Sequence, residues 1–323
     1  MKKIKIFCTL GPSSLNKKFL KFAQLQKVEM VRLNMSHLGL KELEKNIRFI
    51  KKNSKLNICL DTEGAQIRTK INKKINLKKK QKISIYKNKK FHLYPQEVFE
   101  KIKRNDLLEL GFDGLILKII NKNKDCFISE CIQEGDLEAN KGVHLHNRKI
   151  KLNFLTKKDF LAIEIAKKYK IKNFALSFTN TLEDIKNFGN LLPFCRKIYK
   201  IETKEALKNF KAFNNKAKEF LMDRGDLSKD IPVEEIPFAQ RMLFKHKKKS
   251  NEIYIATNLL ESMILKPYPT RAEVNDVYNS LEMGSSGLVL AAETAVGKYP
   301  EECIKFLNKI IFQFKKKKNF KLI

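Results

Sequence analysis

The feature that most constrains the fold is an alternation of short apolar segments, rich in β-branched residues, with longer segments that have helical spacing. Apolar β-formers bounded by turn residues predict strands, whereas apolar residues at i, i+3 and i+4 predict amphipathic helices. The predicted strands are residues 4–9, 28–34, 57–61, 173–178, 197–202, 219–223, 253–257 and 287–292. Strands that alternate with helices form parallel sheets, and eight of them predict a TIM, or (β/α)8, barrel of the α/β class.

One long interval, from about residue 70 to residue 151, interrupts this alternation. Helical spacing gives way there to short β-like pieces that are separated by turn signals. The interval predicts a small all-β domain, a β-barrel inserted after the third strand, where it would act as a lid on the TIM barrel. We therefore predict a barrel domain over residues 1–69 and 152–314, a lid domain over 70–151 and a basic tail over 315–323.

The chain carries 67 lysines and arginines against 35 acidic residues, a formal net charge of +32. Such an excess is typical of proteins that bind nucleic acids. The basic residues are nevertheless scattered over nearly every predicted helix and loop, and the densest runs, 77–82, 245–250 and 315–318, are not interleaved with aromatic residues. Aromatic residues supply base stacking, and the chain has no tryptophan. A coding bias explains the lysines more simply, so we do not expect a nucleic-acid partner.

The six cysteines have neither a CxxC pair nor the spacing of metal ligands, and four of them lie in or beside strand-like segments. This distribution predicts reduced thiols in the core of a cytoplasmic protein. The apolar run at the N-terminus is broken by Gly11 and Pro12 and is too short for a signal peptide or a membrane span. We therefore expect no membrane partner.

Polar residues gather at the C-terminal ends of the predicted strands, where TIM barrels build their active sites. Lys200 and Glu202 are two positions apart and so share one side of a strand, and Asp226 follows the next strand beside Arg224. Each motif alone is typical of solvated turns, but together they place carboxylates beside cations, as a divalent metal that bridges an anionic substrate requires. The other predicted strand ends contribute Thr9, Arg32, Asn34, Ser36, His37, Asp61, Thr62, Arg68, Ser177, Thr257 and Glu293.

These residues belong to longer segments that occur along the whole chain. The segments are KIFCTLGPSS, MVRLNMSH, LDTEGAQIRT, GVHLHNRKIKL, LTKKD, KIETKEAL, DRGDLSKDIPVEEIPFAQ, TNLLESMILKPYPTRAEVNDV and AAETAVGKYPEE. In this order they resemble the pyruvate kinase family, over its barrel domain and a shortened form of its inserted β domain. The resemblance implies transfer of the phosphoryl group of phosphoenolpyruvate to ADP, which gives pyruvate and ATP in glycolysis.

The resemblance also implies roles for individual residues. Arg32 matches the arginine that contacts the transferring phosphate, and Lys200 matches the lysine that stabilises the phosphoryl group in flight. Thr257 lies where the family protonates the enolate. Glu202 and Asp226 match the carboxylates that hold Mg²⁺, or Mn²⁺ in its place.

Further matches concern the substrates and a monovalent cation. The backbone amides of Gly225 and Asp226, with Ser177, are expected to bind phosphoenolpyruvate. Lys158 resembles the lysine of the inserted domain that reaches the nucleotide phosphates when the lid closes. The other nucleotide contacts that the resemblance implies are Asn34, His37 and Arg68. The potassium site that it implies consists of Asn34, Ser36, Asp61 and the carbonyl of Thr62.

Three local differences from the family pattern bear on these expectations. Glu63 replaces a lysine beside the expected potassium site, and Gln66 occupies the position where glutamate or lysine separates potassium-dependent from potassium-independent members. Asp223 replaces a small apolar residue and adds a carboxylate next to the metal ligands. It would either change the metal affinity or pair with a neighbouring lysine. Potassium dependence is therefore left open.

The C-terminal regulatory domain of the family has no counterpart in this sequence, so we expect an enzyme without sugar-phosphate control. Residues 234–276, which support barrel-to-barrel contacts in the family, are present, and we expect a homodimer through the barrel face. Two alternatives remain. One is a degenerate relative that binds nucleotide or phosphoenolpyruvate without efficient turnover, and the other is a nucleic-acid-associated protein, whose binding would fall steeply with salt.

Overall fold

The computed structural model describes residues 3–111, 114–146, 148 and 150–316. The chain divides into two compact units. The first unit runs up to Gly64 and resumes at Lys157, and the second is Ala65–Thr156. Of the predicted basic tail, Lys315 and Lys316 end the last helix, and residues 317–323 lie outside the described part of the chain.

The described residues form seventeen strands, eleven α-helices and two short 3₁₀ helices, Val233–Glu235 and Glu261–Ile264. The strands are β1 Lys5–Thr9, β2 Met30–Asn34, β3 Ile58–Asp61, β4 Arg68–Lys70, β5 Ile75–Leu77, β6 Lys82–Tyr86, β7 His92–Tyr94, β8 Leu107–Leu110, β9 Leu115–Lys122, β10 Cys126–Gln133, β11 Gly135–Leu137, β12 Val143–Leu145, β13 Asn173–Leu176, β14 Arg196–Ile201, β15 Glu219–Asp223, β16 Glu252–Ala256 and β17 Gly287–Leu290. The helices are α1 Lys17–Leu25, α2 Leu40–Asn53, α3 Val98–Lys101, α4 Lys157–Lys168, α5 Leu182–Leu191, α6 Lys204–Phe213, α7 Arg224–Leu227, α8 Ile236–His246, α9 Arg271–Glu282, α10 Ala292–Ala295 and α11 Pro300–Lys316.

The first unit is a closed barrel of eight parallel strands in the order β1-β17-β16-β15-β14-β13-β3-β2. Successive barrel strands are neighbours, and a helix follows each of them, as right-handed crossovers require. The predicted α/β fold class and (β/α)8 architecture are confirmed.

The interior of the barrel is filled by side chains from all eight strands. Alternate residues of a strand face the same side, so each strand supplies one or two members of this core. None of them is more than 1% exposed: they are Phe7, Met30, Cys59, Ala175, Ile198, Leu221, Tyr254, Ala256 and Val289. Cys59 fills space here, and burial raises the pKa of its thiol to about 12. The barrel is therefore a packed core that leaves chemistry to its ends.

Four barrel strands end one or two residues earlier than the sequence predicts, and for two of them the backbone shows the reason. The prediction extends the fourth barrel strand to residue 178 and the seventh to residue 257. Phe178 has φ +53° and Thr257 has φ +69°, so the chain leaves the extended conformation before these residues. Both positions are therefore tight turns at the C-terminal end of the barrel.

The second unit contains a seven-stranded sheet in the order β12-β8-β9-β10-β6-β7-β4 and a two-stranded sheet of β11 and β5. Its edge strands meet at an antiparallel bridge between Arg68 and Gly142, so the sheet curls round on itself. Its own hydrophobic core includes Ile85, Leu117 and Phe127, all 0% exposed. The short helix α3 is the one departure, among its described residues, from the all-β composition that the sequence predicts.

Within the described residues, none of the helices combines the length and the apolar character that crossing a bilayer requires. No disulfide links the six cysteines, all of which lie in the described ranges.

Candidate active site

Lys200 lies at the C-terminal end of β14 and is only 4% exposed. Its Nζ is 2.7 Å from Glu202 Oε1, 3.5 Å from Asp223 Oδ2 and 3.6 Å from Asp61 Oδ2. Burial lowers the pKa of this amine, but the three carboxylates outweigh burial and raise the pKa above its ordinary value. Lys200 is therefore a buried, permanently protonated amine.

The local sequence explains why Glu202 lies beside this lysine. The i, i+2 spacing brings both side chains to one side of the chain, as the sequence predicts. Thr203 then ends the extended segment, because its Oγ1 accepts a hydrogen bond from Ala206 N at 3.0 Å and caps α6. The second carboxylate oxygen of Glu202 accepts a hydrogen bond from Phe178 N at 2.6 Å. Glu202 is thus held from two sides.

Arg32 and Asp61 form a second buried pair at the same end of the barrel. They come from the adjacent strands β2 and β3, and the Arg32 guanidinium donates to the Asp61 carboxylate. Burial favours the neutral form of Asp61, but Lys200 and Arg32 outweigh it and lower the pKa of this carboxyl group. Asp61 therefore stays ionised between two cations.

Glu202, Asp223 and Asp226 each offer a carboxylate oxygen within 4.8 Å of the others. Asp226 also pairs with Lys229, one turn further along the chain. Burial raises the pKa of Glu202 to about 8, and the charges of Asp226 and Asp223 add to this shift against the opposing effect of Lys200. Glu202 and Asp226 each pair with one lysine, so the three carboxylates exceed these two cations and offer hard oxygen donors that suit a divalent cation such as Mg²⁺.

We call the six residues Arg32, Asp61, Lys200, Glu202, Asp223 and Asp226 the upper cluster. Ser177 lies within it, because its Oγ accepts a hydrogen bond from Lys200 Nζ at 3.2 Å and donates to the Thr62 carbonyl at 2.8 Å. Gly64 allows this approach, since it has φ +72° and an added Cβ would lie 2.8 Å from the Ser177 carbonyl oxygen.

The residues expected to bind potassium lie together beside this cluster. Asn34 and Asp61 are register partners on neighbouring strands, and Asn34 Oδ1 accepts a hydrogen bond from Ser36 N at 2.9 Å. The Thr62 carbonyl already accepts the Ser177 hydroxyl. Oxygen atoms of the four expected residues thus come from the ends of two neighbouring strands and the turns that follow them.

Thr257 and the turn after β15 are joined by hydrogen bonds. Gly225 N donates to Thr257 Oγ1 at 2.8 Å, and Asp226 N lies 3.5 Å from Asp223 Oδ1. Both amides that were expected to bind substrate therefore have acceptors within the chain. Arg224 does not join the upper cluster, because its guanidinium donates to the Thr257 carbonyl and to Asp276 at 2.7 Å.

The comparison with known proteins agrees with this geometry. A family model described as pyruvate kinase, barrel domain, matches residues 1–304. A pyruvate kinase of Methanocaldococcus jannaschii is 34% identical to the chain, over 96% of the chain and 69% of that protein. The chain belongs to the pyruvate kinase family.

Two further pyruvate kinases are similar to the chain. One, from Thermotoga maritima, is 30% identical over 99% of the chain and 72% of its own length. The other, from Staphylococcus epidermidis, is 30% identical over 96% of the chain and 56% of its own length. The predicted resemblance to the pyruvate kinase family is thus confirmed over nearly the whole chain.

Three residues that the family resemblance assigns to the nucleotide lie outside the upper cluster. Arg68 belongs to the second unit, where its Nη1 donates to the Asn140 carbonyl at 3.2 Å. His37 is exposed in the turn after β2. Lys158, which resembles a lysine of the family's inserted domain, lies in α4 of the barrel unit, within the range that the sequence predicts for the barrel. Its Nζ donates to the Met35 carbonyl at 2.5 Å and so holds the turn after β2.

Two buried carboxylates at this end of the pyruvate kinase barrel have structural contacts that the sequence does not reveal. Asp159 accepts hydrogen bonds from Glu63 N at 2.7 Å and Gly64 N at 3.1 Å, and so fixes the turn after β3. Glu293, which the strand-end pattern assigns to the site, accepts from Ala291 N and Leu260 N. Its position in the motif AAET was the only signal, and a motif does not distinguish a turn-forming carboxylate from a ligand.

Proposed function

We propose that this chain transfers the phosphoryl group of phosphoenolpyruvate to ADP and forms pyruvate and ATP. The observation that carries the proposal is the buried Lys200, whose ammonium group lies among three carboxylates at the C-terminal end of the barrel. A cation held in this way can stabilise a transferring phosphoryl group without reorganisation. Membership of the pyruvate kinase family supports the same reaction.

The donor set of the upper cluster fits the divalent ion that the family uses. Glu202 and Asp226 would hold Mg²⁺ or Mn²⁺, because both present hard carboxylate oxygens within 4.8 Å of each other. When bound, the ion supplies positive charge that offsets the charge of the phosphoryl oxygens. Its presence would also lower the pKa of Glu202, since a cation favours the ionised carboxylate.

Four side chains of the protein have further roles in the proposed reaction. Arg32 offers a planar guanidinium, which suits bidentate binding of a phosphate, and its partner Asp61 keeps it in place. Lys200 binds the phosphoryl oxygens next to it, and Ser177 orients Lys200 through the 3.2 Å hydrogen bond. Thr257 has its hydroxyl fixed between Ala256 O and Gly225 N, close to the turn that would bind the substrate carboxylate.

Nucleotide and potassium binding remain part of the proposal. We assign the nucleotide to Asn34, His37, Arg68 and Lys158. We assign potassium to Asn34, Ser36, Asp61 and the Thr62 carbonyl, a set with one carboxylate among neutral oxygens that suits a singly charged ion. A substrate carboxylate that binds the Gly225 and Asp226 amides would have to replace their present acceptors, Thr257 and Asp223.

We further propose a place in glycolysis, a cytoplasmic location and a homodimer through the barrel face. Large apolar side chains on and beside residues 234–276 support the dimer, since Val233, Phe238 and Tyr268 are 71–73% exposed. Analytical ultracentrifugation should give a dimer for the native chain and a monomer for Phe238→Glu. The absence of sugar-phosphate control stays a prediction.

The proposed reaction is tested by following pyruvate formation from phosphoenolpyruvate and ADP with purified protein and Mg²⁺, with and without K⁺. Lys200→Met should lower turnover at least about 1,000-fold, because it removes a charge that acts in the transition state. Lys197→Met is the matched control, since Lys197 lies in the same strand and donates to backbone carbonyls near its other end. Turnover in this control should stay within about twofold of wild type.

Failure of the wild-type protein to form pyruvate under either condition would contradict the proposal. It would favour the degenerate relative that binds without turnover. A turnover that K⁺ increases would support the assigned potassium site, and equal turnover with and without K⁺ would contradict it.

A further inference from the structure

We propose that Asp223 is a third carboxylate ligand of the divalent ion that Glu202 and Asp226 hold, so that this site binds the ion before any phosphorylated substrate arrives. The inference rests on the proposed function for the identity of the ion. It concerns this chain's own residue, at a position where the sequence pattern of the family has a small apolar side chain.

The surroundings of Asp223 are those of a carboxylate without a close partner. It is the last residue of β15 and is 6% exposed. Its Oδ2 lies 3.5 Å from Lys200 Nζ, and its Oδ1 lies 3.5 Å from Asp226 N. Charge-assisted hydrogen bonds are ordinarily about 2.7–2.9 Å long. Among the described residues no donor is closer than these two, so the burial of this charge is poorly compensated, although the side chain caps α7 through Asp226 N.

The alternative expectation, that Asp223 serves mainly to pair with a lysine, fits the distances less well. Lys200 Nζ is 2.7 Å from Glu202 but 3.5 Å from Asp223. Asp61 is the other neighbour of Lys200, and it is already bound to Arg32. Of the carboxylates around Lys200, Asp223 is thus the one whose oxygens are least engaged by cations.

The three carboxylates also have the separation that one ion requires. Their ligand oxygens lie within 4.8 Å of one another. Oxygens on opposite sides of a Mg²⁺ ion are about 4.2 Å apart, since each Mg–O bond is about 2.1 Å. Small side-chain rotations of Glu202, Asp223 and Asp226 would therefore bring all three into one coordination sphere.

The number of carboxylates determines how such a site binds. Ligand charge tunes the affinity for divalent cations, and a third carboxylate raises it. Glu202 and Asp226 are matched in charge by Lys200 and Lys229, so a site of these two carboxylates alone depends more on oxygens from an anionic substrate. With Asp223 included, three carboxylates stand against these two lysines. We therefore expect the ion to bind in the absence of substrate.

Calorimetric titration of the full chain with Mn²⁺, without substrate, tests this expectation. Asp223→Asn keeps the shape of the side chain and removes its charge, and it should weaken Mn²⁺ binding at least about tenfold. Glu219→Gln is the matched control, because Glu219 begins the same strand at the opposite end of the barrel. Its Mn²⁺ affinity should equal that of the wild type. Circular dichroism at the titration temperature verifies that both variants are folded.

A second measurement, the relaxation rate of water protons, distinguishes an Asp223 that binds the ion directly from an Asp223 that acts only through Lys200. Replacement of a ligand by Asp223→Ala should add about one rapidly exchanging water to bound Mn²⁺, which raises the proton relaxation rate of water. An unchanged relaxation rate together with unchanged Mn²⁺ affinity would overturn the inference. A wild-type protein that binds no Mn²⁺ without substrate would overturn it as well.

These outcomes are distinct from failure of the proposed reaction. If the wild type forms pyruvate and Asp223→Asn keeps full Mn²⁺ affinity, the inference about Asp223 is wrong and the proposed function stands. If Asp223→Asn loses Mn²⁺ affinity while the wild type forms no pyruvate, the ligand assignment is supported and the proposed function is wrong.

Discussion

The two ends of the barrel each carry a cluster of charged side chains, and the clusters differ in how their charges are matched. At the N-terminal ends of the strands, the lower cluster consists of Lys5, Glu29, Arg196, Glu219, Glu252 and Tyr254. Arg196 binds Glu219 through two nitrogens at 2.8–2.9 Å, and Lys5 Nζ lies 2.5 Å from Glu252. The Tyr254 hydroxyl lies 2.6 Å from Glu219. Glu219 and Glu252 thus have close donors, and Glu29 lies 3.3 Å from Arg196 Nη1.

The pKa values of Glu252 and Glu202, one at each end of the barrel, are shifted in opposite directions and reflect this difference between the clusters. At the lower end, burial raises the pKa of Glu252, but hydrogen bonds from Lys5 and Tyr254 outweigh burial and lower it. At the upper end, burial and two neighbouring carboxylates raise the pKa of Glu202 to about 8. The lower cluster therefore gives Glu219 and Glu252 close donors and stabilises the barrel, whereas the upper cluster leaves Asp223 without a close donor and can accept an external cation. TIM barrels commonly separate stability and activity in this way.

The largest expected difference between the two ends of the barrel is in turnover, when a glutamate is replaced by glutamine at each end. Glu202→Gln should lower pyruvate formation at least about 1,000-fold, or about 4 kcal/mol in the barrier, because it removes a proposed metal ligand. Glu252→Gln should leave turnover within about twofold of wild type. Steady-state kinetics at saturating Mg²⁺ measures both. Comparable losses in the two variants would show that the ends do not divide these roles.

The next contrast concerns stability. Arg196→Met leaves Glu219 and Glu29 without their shared guanidinium, and it should lower the free energy of unfolding by about 3 kcal/mol. Lys3→Met is the control, because Lys3 pairs with the same Glu29 at 3.3 Å but is 61% exposed. It should cost at most about 1 kcal/mol. Urea unfolding measures both values, and equal effects would contradict a stabilising role for the lower cluster.

The smallest effect is a pH dependence of stability. Because the pKa of Glu252 is lower in the folded protein than its ordinary value of 4.5, its contribution is complete above that value and is lost as the pH falls below it. Glu252→Gln should therefore cost about 1–2 kcal/mol at neutral pH, and the cost should shrink as the pH is lowered through about 4. Urea unfolding of both proteins over this range measures the difference. A cost that stays constant would contradict the proposed ion pair.

Much of the barrel could be predicted from sequence, because its strands and helices follow local periodicity. The predicted ends at residues 178 and 257 were too late, since nothing in an apolar run indicates the positive φ of Phe178 or Thr257.

The site was only partly predictable for a related reason. Lys200 and Glu202 are close in sequence, so their spacing predicts their contact. The pairing of Arg32 with Asp61 depends on the register between β2 and β3, which a single sequence does not give. The lower cluster was not predicted at all. Its charged residues stand singly at strand starts, where each is typical of a solvated surface, and only closure of the barrel brings them together.

The central claim is that, of the two charged clusters, only the upper cluster binds a divalent cation. Thermal unfolding with and without Mn²⁺ tests this claim most directly. The wild type, Glu202→Gln and Glu252→Gln are compared in the absence of substrate. Mn²⁺ that binds only the folded state should raise the melting temperature of the wild type and of Glu252→Gln by several degrees. It should leave that of Glu202→Gln nearly unchanged. Equal shifts in all three proteins, or a loss of the shift in Glu252→Gln, would contradict the account.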